Sequence, residues 1–406
     1  MNNMTKSEIL YERAIKVTPW GTQTNAKRPV LEYKGAMPFY IERGKGCRLW
    51  DVDGKEYIDY RCSLGPTILG YCYDEVDEAV RKQMEKGVLF SMASPIEIEL
   101  AELIHEMVPG AEMVKFMKTG EDANSCCVRL ARAYTGKDMI ISCGYHGYPD
   151  WFMTHIYGVP AFMSDYVKKL DYGNFEQAEE IISKYADKTA CVITVPYDLD
   201  DNLSADYLKH LRKLTEEYKI PLIFDEVITG FRLAKGGAQE YYGVIPDLAA
   251  FAKAIANGYP LSAFAGKKEY MELLNTKTLI TTTYAGETLS IAAAIATLKI
   301  MKREDVHGHI FRMGKKLKEG YTAICKNLRI EGYGAGLEPL SYINFIYNDP
   351  EINNKLNFHL MHELYKNGIF ANVRSMISYS HQEKDIDITL EKTEIALKRA
   401  KEIVGV

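Results

Sequence analysis

The stretch "PLIFDEVITGFR" at residues 221–232 places two acidic residues directly after a short apolar run. The run at residues 222–224 is typical of a β-strand that is buried on both faces. A carboxylate at the end of such a strand is costly unless a cation or a hydrogen-bond donor meets it. We therefore expect the carboxylate of Asp225 to have a specific partner.

Strand-like and helix-like patterns alternate around this stretch, from about residue 98 to residue 265. The pattern predicts strands at residues 114–117, 139–142, 190–195, 222–225, 248–251 and 262–265. Helical periodicity lies between several of them, at residues 122–134, 175–185 and 205–218. Such alternation predicts an α/β fold with a mostly parallel sheet that is covered by helices on both faces. Ligands of these sheets bind beyond the carboxyl ends of the strands, where Asp225 falls.

The two ends of the chain have different patterns. Residues 37–60 carry short alternating runs with Asp53-Gly54 as a hairpin turn. After about residue 305 a helix, the strand-like "LSYINFIY" and two further helices follow, which predicts a smaller α+β domain. The glycine-rich "GYGAG" at residues 332–336 is interpreted as a flexible turn, since it neither opens a strand-helix unit nor precedes a clear helix.

Composition excludes several classes of function. The chain has 406 residues and a formal net charge of -5, so no basic surface indicates a nucleic-acid partner. No run of about 18 apolar residues is present, and no membrane span is expected. The start of the chain lacks the apolar core of a signal peptide, and the eight cysteines are scattered. Both features predict a cytoplasmic protein with reduced thiols.

A lysine follows another apolar run in "PDLAAFAKAIANGYPLSAFAG" at residues 246–266. Lys253 could extend its ammonium group to solvent from a strand end. Alternatively, an apolar pocket would lower its pKa and make it an amine nucleophile suited to Schiff-base chemistry. A strand-end Asp paired with such a Lys is what pyridoxal phosphate requires, because the lysine binds the aldehyde and the carboxylate keeps the ring nitrogen protonated.

A phosphate-binding turn is predicted where residues 114–117 run into Thr119-Gly120 and a helix opens at Glu121-Asp122. Gly120 allows close backbone approach, and the free amides at a helix start favour a phosphate dianion. The alternative is an ordinary helix N-cap by Thr119. Two histidines at helical spacing, His359 and His362, are interpreted as surface-helix residues, and no metal centre is predicted.

The order of these stretches resembles the class III (fold type I) pyridoxal-phosphate aminotransferases, in the branch near glutamate-1-semialdehyde 2,1-aminomutase. The most specific matches are "IFDEVITGFR" and "FAKAIANGYPLSAFAG", supported by "GYHG" and "TTTYAGETLSIAAAIATL". The resemblance implies a large cofactor-binding domain at residues 61–304. It also implies a small α+β domain built from both chain ends, residues 1–60 and 305–406.

The family's functional residues carry over to named positions. Asp225 would pair with the pyridine nitrogen, and Lys253 would form the covalent link. Val227 would pack on one ring face and Tyr145 would cover the other. Apart from the resemblance, His146 is interpreted as a support for Tyr145 and the local turn, with a general base as the alternative. The family's phosphate contacts match four positions: Thr119, Gly120, Glu121 and Thr283. Since the family's threonine at Thr283 comes from the neighbouring subunit, a homodimer with sites at the interface is implied.

Several positions depart from the aminomutase pattern, namely Glu121, Val195, Glu287-Thr288 and the "GTQT" at residues 21–24. Most of them are expected on the substrate side. The prediction is therefore a transaminase that moves an amino group from an amino acid donor to a small carbonyl acceptor. The family resemblance suggests a sugar or special-metabolite precursor as that acceptor. The alternative is an isomerase of the aminomutase kind, and a catalytically silent homologue is disfavoured by the intact Asp225–Lys253 pair.

Overall fold

The computed structural model describes residues 4–198, 201–371 and 374–406. The chain forms two compact units. Unit 1 comprises residues 1–73 and 308–406, and unit 2 comprises residues 74–307. The functional division into domains at residues 60 and 304 stays a prediction.

Numbered in chain order, the strands have the following bounds: β1 (Ile41–Lys45), β2 (Arg48–Asp51), β3 (Glu56–Asp59), β4 (Met113–Met117), β5 (Met139–Cys143), β6 (Val167–Leu170), β7 (Thr189–Thr194), β8 (Leu222–Glu226), β9 (Leu248–Phe251), β10 (Ser262–Gly266), β11 (Gly332–Ala335), β12 (Leu340–Phe345), β13 (Ile369–Phe370) and β14 (Ser375–Met376). The α-helices are α1 (Lys6–Ala14), α2 (Asp74–Met84), α3 (Pro95–Met107), α4 (Gly120–Thr135), α5 (Phe175–Tyr185), α6 (Asp201–Glu217), α7 (Ala238–Tyr242), α8 (Lys268–Met271), α9 (Thr288–Arg303), α10 (Val306–Leu328), α11 (Pro350–Lys366) and α12 (Glu383–Val404).

Unit 2 is built on a seven-stranded sheet in the order β4-β10-β9-β8-β7-β5-β6. Strand β10 is antiparallel to both of its neighbours, while the other pairs are parallel. Every residue of β5, β7, β8, β9 and β10 is buried, so helices and loops cover both faces. The predicted α/β fold with a mostly parallel sheet is confirmed.

The parallel arrangement determines where the polar residues meet. Strands β8 and β9 are parallel neighbours, with Asp225 opposite Ala250 and Glu226 opposite Phe251. Strand β4 runs in the same direction as β9, because both are antiparallel to β10. The segments that leave β4, β5, β8 and β9 at their carboxyl ends therefore emerge at one edge of the sheet.

Unit 1 contains a four-stranded sheet in the order β1-β2-β3-β13 and a three-stranded sheet in the order β11-β12-β14. The predicted hairpin turn lies between β2 and β3, where Gly54 has a φ of 89°. The predicted flexible turn at residues 332–336 is wrong, because residues 332–335 form β11, which pairs with β12. Among the described residues, no helix is long and apolar enough to cross a membrane.

Candidate active site

Asp225 lies at the carboxyl end of β8 and is only 6% exposed. Its Oδ2 accepts hydrogen bonds from His146 Nδ1 at 2.8 Å and from Asn124 Nδ2 at 2.9 Å. Its Oδ1 accepts from the backbone N–H of Val227 at 3.1 Å. Because a carboxylate only accepts, the His146 proton resides on Nδ1. Three donors from three segments thus orient the Asp225 carboxylate.

The contact between His146 and Asp225 differs from the interpretation of His146 as a support for Tyr145. His146 is 2% exposed and its ring packs edge-on against Phe152. Asn124 was overlooked in the sequence. The sequence feature that could have indicated it is an amide side chain on a helical face that is otherwise apolar, beside Ala123 and Cys127. Among the described residues, His146 Nε2 and Asn124 Oδ1 are buried without a hydrogen-bond partner.

Lys253 follows β9 and opens a short 3-10 turn. Its backbone is in the left-handed region, with a φ of 48°, which is uncommon for a residue with a side chain. Burial lowers the pKa of the Lys253 ammonium, an effect that the negative charge of Asp225 opposes and the positive charge of Arg232 reinforces. Arg232 is itself fully buried. Lys253 is therefore an amine that loses its proton more readily than an exposed lysine.

The start of α4 forms the predicted turn. Thr119 is its N-cap: Thr119 Oγ1 accepts from Asp122 N at 3.4 Å, and Thr119 N donates to Asp122 Oδ2 at 3.0 Å. An N-cap at Thr119 and the predicted phosphate-binding turn are compatible. The cap leaves the amides of Gly120 and Glu121 at the open end of a 16-residue helix.

Two glycines bring the segments after β4, β5 and β8 into contact. A Cβ on Gly120 would lie 2.8 Å from Val227 Cγ2, so this backbone is packed directly on Val227. A Cβ on Gly147 would collide with Glu121 Cβ. Gly147 also has a φ of 110°, which only glycine adopts readily. The predicted residues Thr119, Gly120, Glu121, His146 and Val227 thus belong to one contiguous set of segments with Asp225.

Two predicted site residues are on the surface of unit 2. Tyr145 is 69% exposed, and Thr283 lies in an exposed segment ahead of α9. The structure of the single chain does not bring either residue against Asp225 or Lys253 through a described hydrogen bond. Their roles as ring cover and phosphate contact stay predictions.

Glu287 has a structural partner that the sequence did not reveal. It caps α9 by accepting from Leu289 N at 2.6 Å and Ser290 N at 3.2 Å, and it pairs with Lys118 Nζ at 2.9 Å. Burial acts to raise the pKa of Glu287, but hydrogen bonds from Ser290 and Lys118 outweigh it and hold the pKa below the ordinary value. Lys118 therefore neutralises the Glu287 carboxylate, which is not an uncompensated negative charge in the pocket.

Residues 31–392 match the family model of the class-III aminotransferases. The chain belongs to this family. It is 32% identical over 409 residues to a 3-aminobutyryl-CoA aminotransferase of Cloacimonas acidaminovorans, covering 99% of both chains. It is 33% identical over 431 residues to a glutamate-1-semialdehyde 2,1-aminomutase of Methanococcoides burtonii, covering 98% of this chain and 100% of the relative.

Among solved structures, the FumI protein of Sphingopyxis sp. MTA144 in its PLP internal aldimine form has a TM-score of 0.90 and 28% identity. The match covers 98% of this chain and 96% of that one. This class-III aminotransferase thus has the fold type I architecture and is a transaminase that uses pyridoxal phosphate.

The residues at the sheet edge fit that cofactor. A pyridine nitrogen needs a buried carboxylate, and Asp225 is buried and held in orientation by His146 and Asn124. An aldehyde needs an amine with a lowered pKa, and burial gives one at Lys253. A phosphate group needs free amides at a helix start with no side chain in the way, which Gly120 at the start of α4 provides.

Proposed function

We propose that this class-III aminotransferase transfers an amino group between two different small molecules at a site centred on Asp225 and Lys253. The observation that carries the amino-transfer chemistry is the combination of a donor-held carboxylate at the end of β8 with a desolvated lysine after the neighbouring β9. Pyridoxal phosphate, when bound, supplies a ring system that accepts electrons from the substrate carbon.

Lys253 is proposed as the covalent anchor and as the group that moves the proton. Its Nζ, neutral at a lower pH than an exposed lysine, takes a proton from the substrate carbon and later returns one. Asp225 is proposed to hold the pyridine nitrogen in its protonated form, with His146 and Asn124 fixing the carboxylate. Val227, Thr119, Gly120 and Glu121 are proposed to line the cofactor, as their contiguous packing supports.

Transfer between molecules is favoured over rearrangement within one by the substrate-side differences. Val195 stands in place of the family's acidic residue, and its side chain packs on Gly144, which directly precedes Tyr145. Such changes alter which groups a pocket accepts. Full-length similarity extends both to a 3-aminobutyryl-CoA aminotransferase and to glutamate-1-semialdehyde 2,1-aminomutases, so the choice rests on these substrate-side residues. The donor is proposed to be an amino acid, and the acceptor a small carbonyl compound such as a sugar or special-metabolite precursor.

The active form is proposed to be a homodimer, with Thr283 of one subunit at the phosphate site of the other. Exposed apolar side chains support an interface on unit 2, among them Val88 (42% exposed), Phe90 (47%) and Met92 (82%). The segment that carries them is tied to the start of α9, since Thr288 Oγ1 donates to the Gly87 and Val88 carbonyls. A cytoplasmic location is proposed because the eight cysteines are free and seven of them are buried.

The test supplies amino donors singly to the protein loaded with pyridoxal phosphate, with no acceptor present. Transfer between molecules predicts release of about one equivalent of keto acid per site and a matching shift of the cofactor's absorption. Glutamate-1-semialdehyde is supplied in parallel without any donor. Efficient conversion to 5-aminolevulinate in that arm, with no keto acid from any donor, would replace the proposal with the isomerase function.

A further inference from the structure

The residue that links β4 to the start of α4 is a lysine with polar contacts on two other segments. Lys118 Nζ donates to Glu287 Oε2 at 2.9 Å and to the Pro260 carbonyl at 3.1 Å. Lys118 directly precedes Thr119, the N-cap of α4. Its ammonium group therefore joins the predicted phosphate-binding turn, residues 119–121, to the start of α9 and to the segment ahead of β10.

The phosphate-binding turn leaves the sheet at an edge. Strand β4 is the outermost strand on its side, and within the described part of the chain it pairs only with β10. The last pair of that ladder joins Met117 to Ser262, one residue before Lys118. The backbone beyond this pair is positioned by contacts outside the ladder, such as that of Gly120 with Val227. The ion pair of Lys118 is a second contact of this kind.

The start of α9 is a rigid partner for the lysine. Glu287 Oε1 accepts from Leu289 N at 2.6 Å, and Glu287 Oε2 accepts from Ser290 Oγ at 2.6 Å. Thr288 is fully buried, and its N–H donates to the Val88 carbonyl at 2.9 Å. Because these bonds already fix the Glu287 carboxylate, it loses little further freedom when it pairs with an ammonium group.

The pair is also shielded from solvent. The side chains of Lys118 and Glu287 are 20% and 13% exposed, whereas those of Lys299 and Glu99, an ion pair at the middle of α9, are 56% and 46% exposed. Water and salt screen a shielded pair less than an exposed one. The Lys118–Glu287 pair is therefore suited to hold two segments at a fixed distance.

We propose that Lys118 and Glu287 act together as positioning residues for the phosphate group of the cofactor. The pair holds the residue that enters the turn against the start of α9, so that the amides of Gly120 and Glu121 keep one orientation. The inference rests on the proposed phosphate site at the start of α4. It assigns neither side chain a contact with the cofactor.

Two substitutions separate position from charge. In Glu287→Gln the amide oxygen can keep the bond from Leu289 N, but its NH2 group then faces the Lys118 ammonium group and the link is lost. Lys118→Met keeps an unbranched stem and removes the ammonium group. A positioning role predicts weaker cofactor binding in both variants. A role through charge alone predicts weaker binding without the ammonium group and tighter binding without the carboxylate, because phosphate is an anion.

Affinity is measured by fluorescence titration of the cofactor-free protein with pyridoxal phosphate and, in parallel, with pyridoxal, which lacks the phosphate group. Lys118→Met and Glu287→Gln should each weaken binding of pyridoxal phosphate at least about fivefold and change that of pyridoxal by less than about twofold. The double variant should bind no more weakly than the weaker single variant, because the two residues act as one unit. Lys118→Arg keeps the cation and should retain most of the affinity.

The exposed ion pair at the middle of α9 provides the matched control. Lys299 Nζ lies 2.7 Å from Glu99 Oε1. Lys299→Met and Glu99→Gln should bind both ligands as the wild type does. Urea unfolding of every variant measures how much protein is folded under the titration conditions. The predictions for Glu287→Gln and Lys118→Arg stand even if Lys118→Met does not fold.

Four results would overturn the inference. They are unchanged affinity for pyridoxal phosphate in both single variants, tighter binding in Glu287→Gln, equal weakening for pyridoxal phosphate and pyridoxal, and additive losses in the double variant. Gly120→Ala, titrated in the same way, distinguishes this failure from failure of the phosphate site. If Gly120→Ala weakens binding of pyridoxal phosphate and the pair variants do not, only the positioning role is wrong. If Gly120→Ala also has no effect, the proposed phosphate site is wrong.

Discussion

At the scale of single residues, the role of the Asp225 carboxylate can be tested most directly by substitution. Its carboxylate accepts three hydrogen bonds, which an amide cannot accept in the same way. Asp225→Asn should fold but lose turnover by at least about a hundredfold, on the order of 3 kcal/mol in the barrier. Steady-state kinetics with a donor and acceptor pair measures this.

Asp247→Asn is the matched control for that substitution. Asp247 is another buried carboxylate, directly before β9, and is paired with Arg212 at 3.0 Å and Lys267 at 2.6 Å. Its loss should lower the free energy of unfolding while turnover of the folded fraction stays near that of the wild type. Near-normal turnover in Asp225→Asn would reduce Asp225 to the same structural role.

The lowered pKa of Lys253 predicts that the stability of the cofactor-free protein depends on pH. Because burial lowers its pKa below the ordinary 10.5, the folded chain binds fewer protons than the unfolded chain between the two values. Stability gained from this group therefore rises as pH rises through that window. Urea unfolding at pH 7.5, 9 and 10.5 measures the free energy of unfolding. The value for Lys253→Met should exceed that of the wild type most at pH 7.5, and the difference should shrink towards pH 10.5. A constant difference would contradict the lowered pKa.

The sequence identified polar residues at the ends of strands, but not the residues that contact them in the folded chain. Asp225 and Lys253 were recognisable because the first ends a buried strand and the second follows one. The contacts of His146 and Asn124 with Asp225 join residues 79 and 101 positions apart. No local pattern records such contacts, since they depend on β5, β7 and β8 lying side by side.

At the scale of elements, helix α4 has a glycine at each end, Gly120 at its start and Gly136 at its C-cap, and the two allow a matched comparison. Gly120→Ala would place a Cβ 2.8 Å from Val227 Cγ2, which displaces the turn from the segment after β8. We expect affinity for pyridoxal phosphate to fall at least about tenfold, measured by fluorescence titration of the cofactor-free protein.

The control is at the other end of the same helix. Gly136 has a φ of 68°, and a Cβ there would meet no atom within 4 Å. Gly136→Ala should cost about 1 kcal/mol of unfolding free energy for its left-handed backbone and leave cofactor affinity unchanged. Equal affinities in the two variants would contradict a phosphate site at the turn.

Most strands were predictable from buried apolar runs, and the failures have physical causes. Strand β6 has the sequence "VKKL", in which two lysines occupy a four-residue edge strand. Strand β11 is rich in glycine because a Cβ on Gly334 would collide with the Lys318 carbonyl of α10. Glycine there reflects close packing, which in sequence is indistinguishable from a flexible turn.

At the scale of the whole molecule, the proposed dimer predicts a role for an exposed threonine. Thr283→Ala should weaken cofactor binding in the dimer by several-fold, whereas Thr281→Ala, on the same exposed segment, should not. Light scattering should give twice the chain mass, and activity per chain should fall on dilution below the dimer's dissociation constant. An active monomer of normal cofactor affinity would contradict the dimer.

The central claim is that Lys253 is the lysine that binds pyridoxal phosphate. The most direct measurement is borohydride reduction of the cofactor-loaded protein, followed by proteolysis and mass spectrometry of the adduct. Reduction should leave one cofactor per chain, located on the peptide that contains Lys253, and a Lys253→Arg variant should carry none. An adduct on another lysine such as Lys118 or Lys267, or none at all, would contradict the assignment of the site.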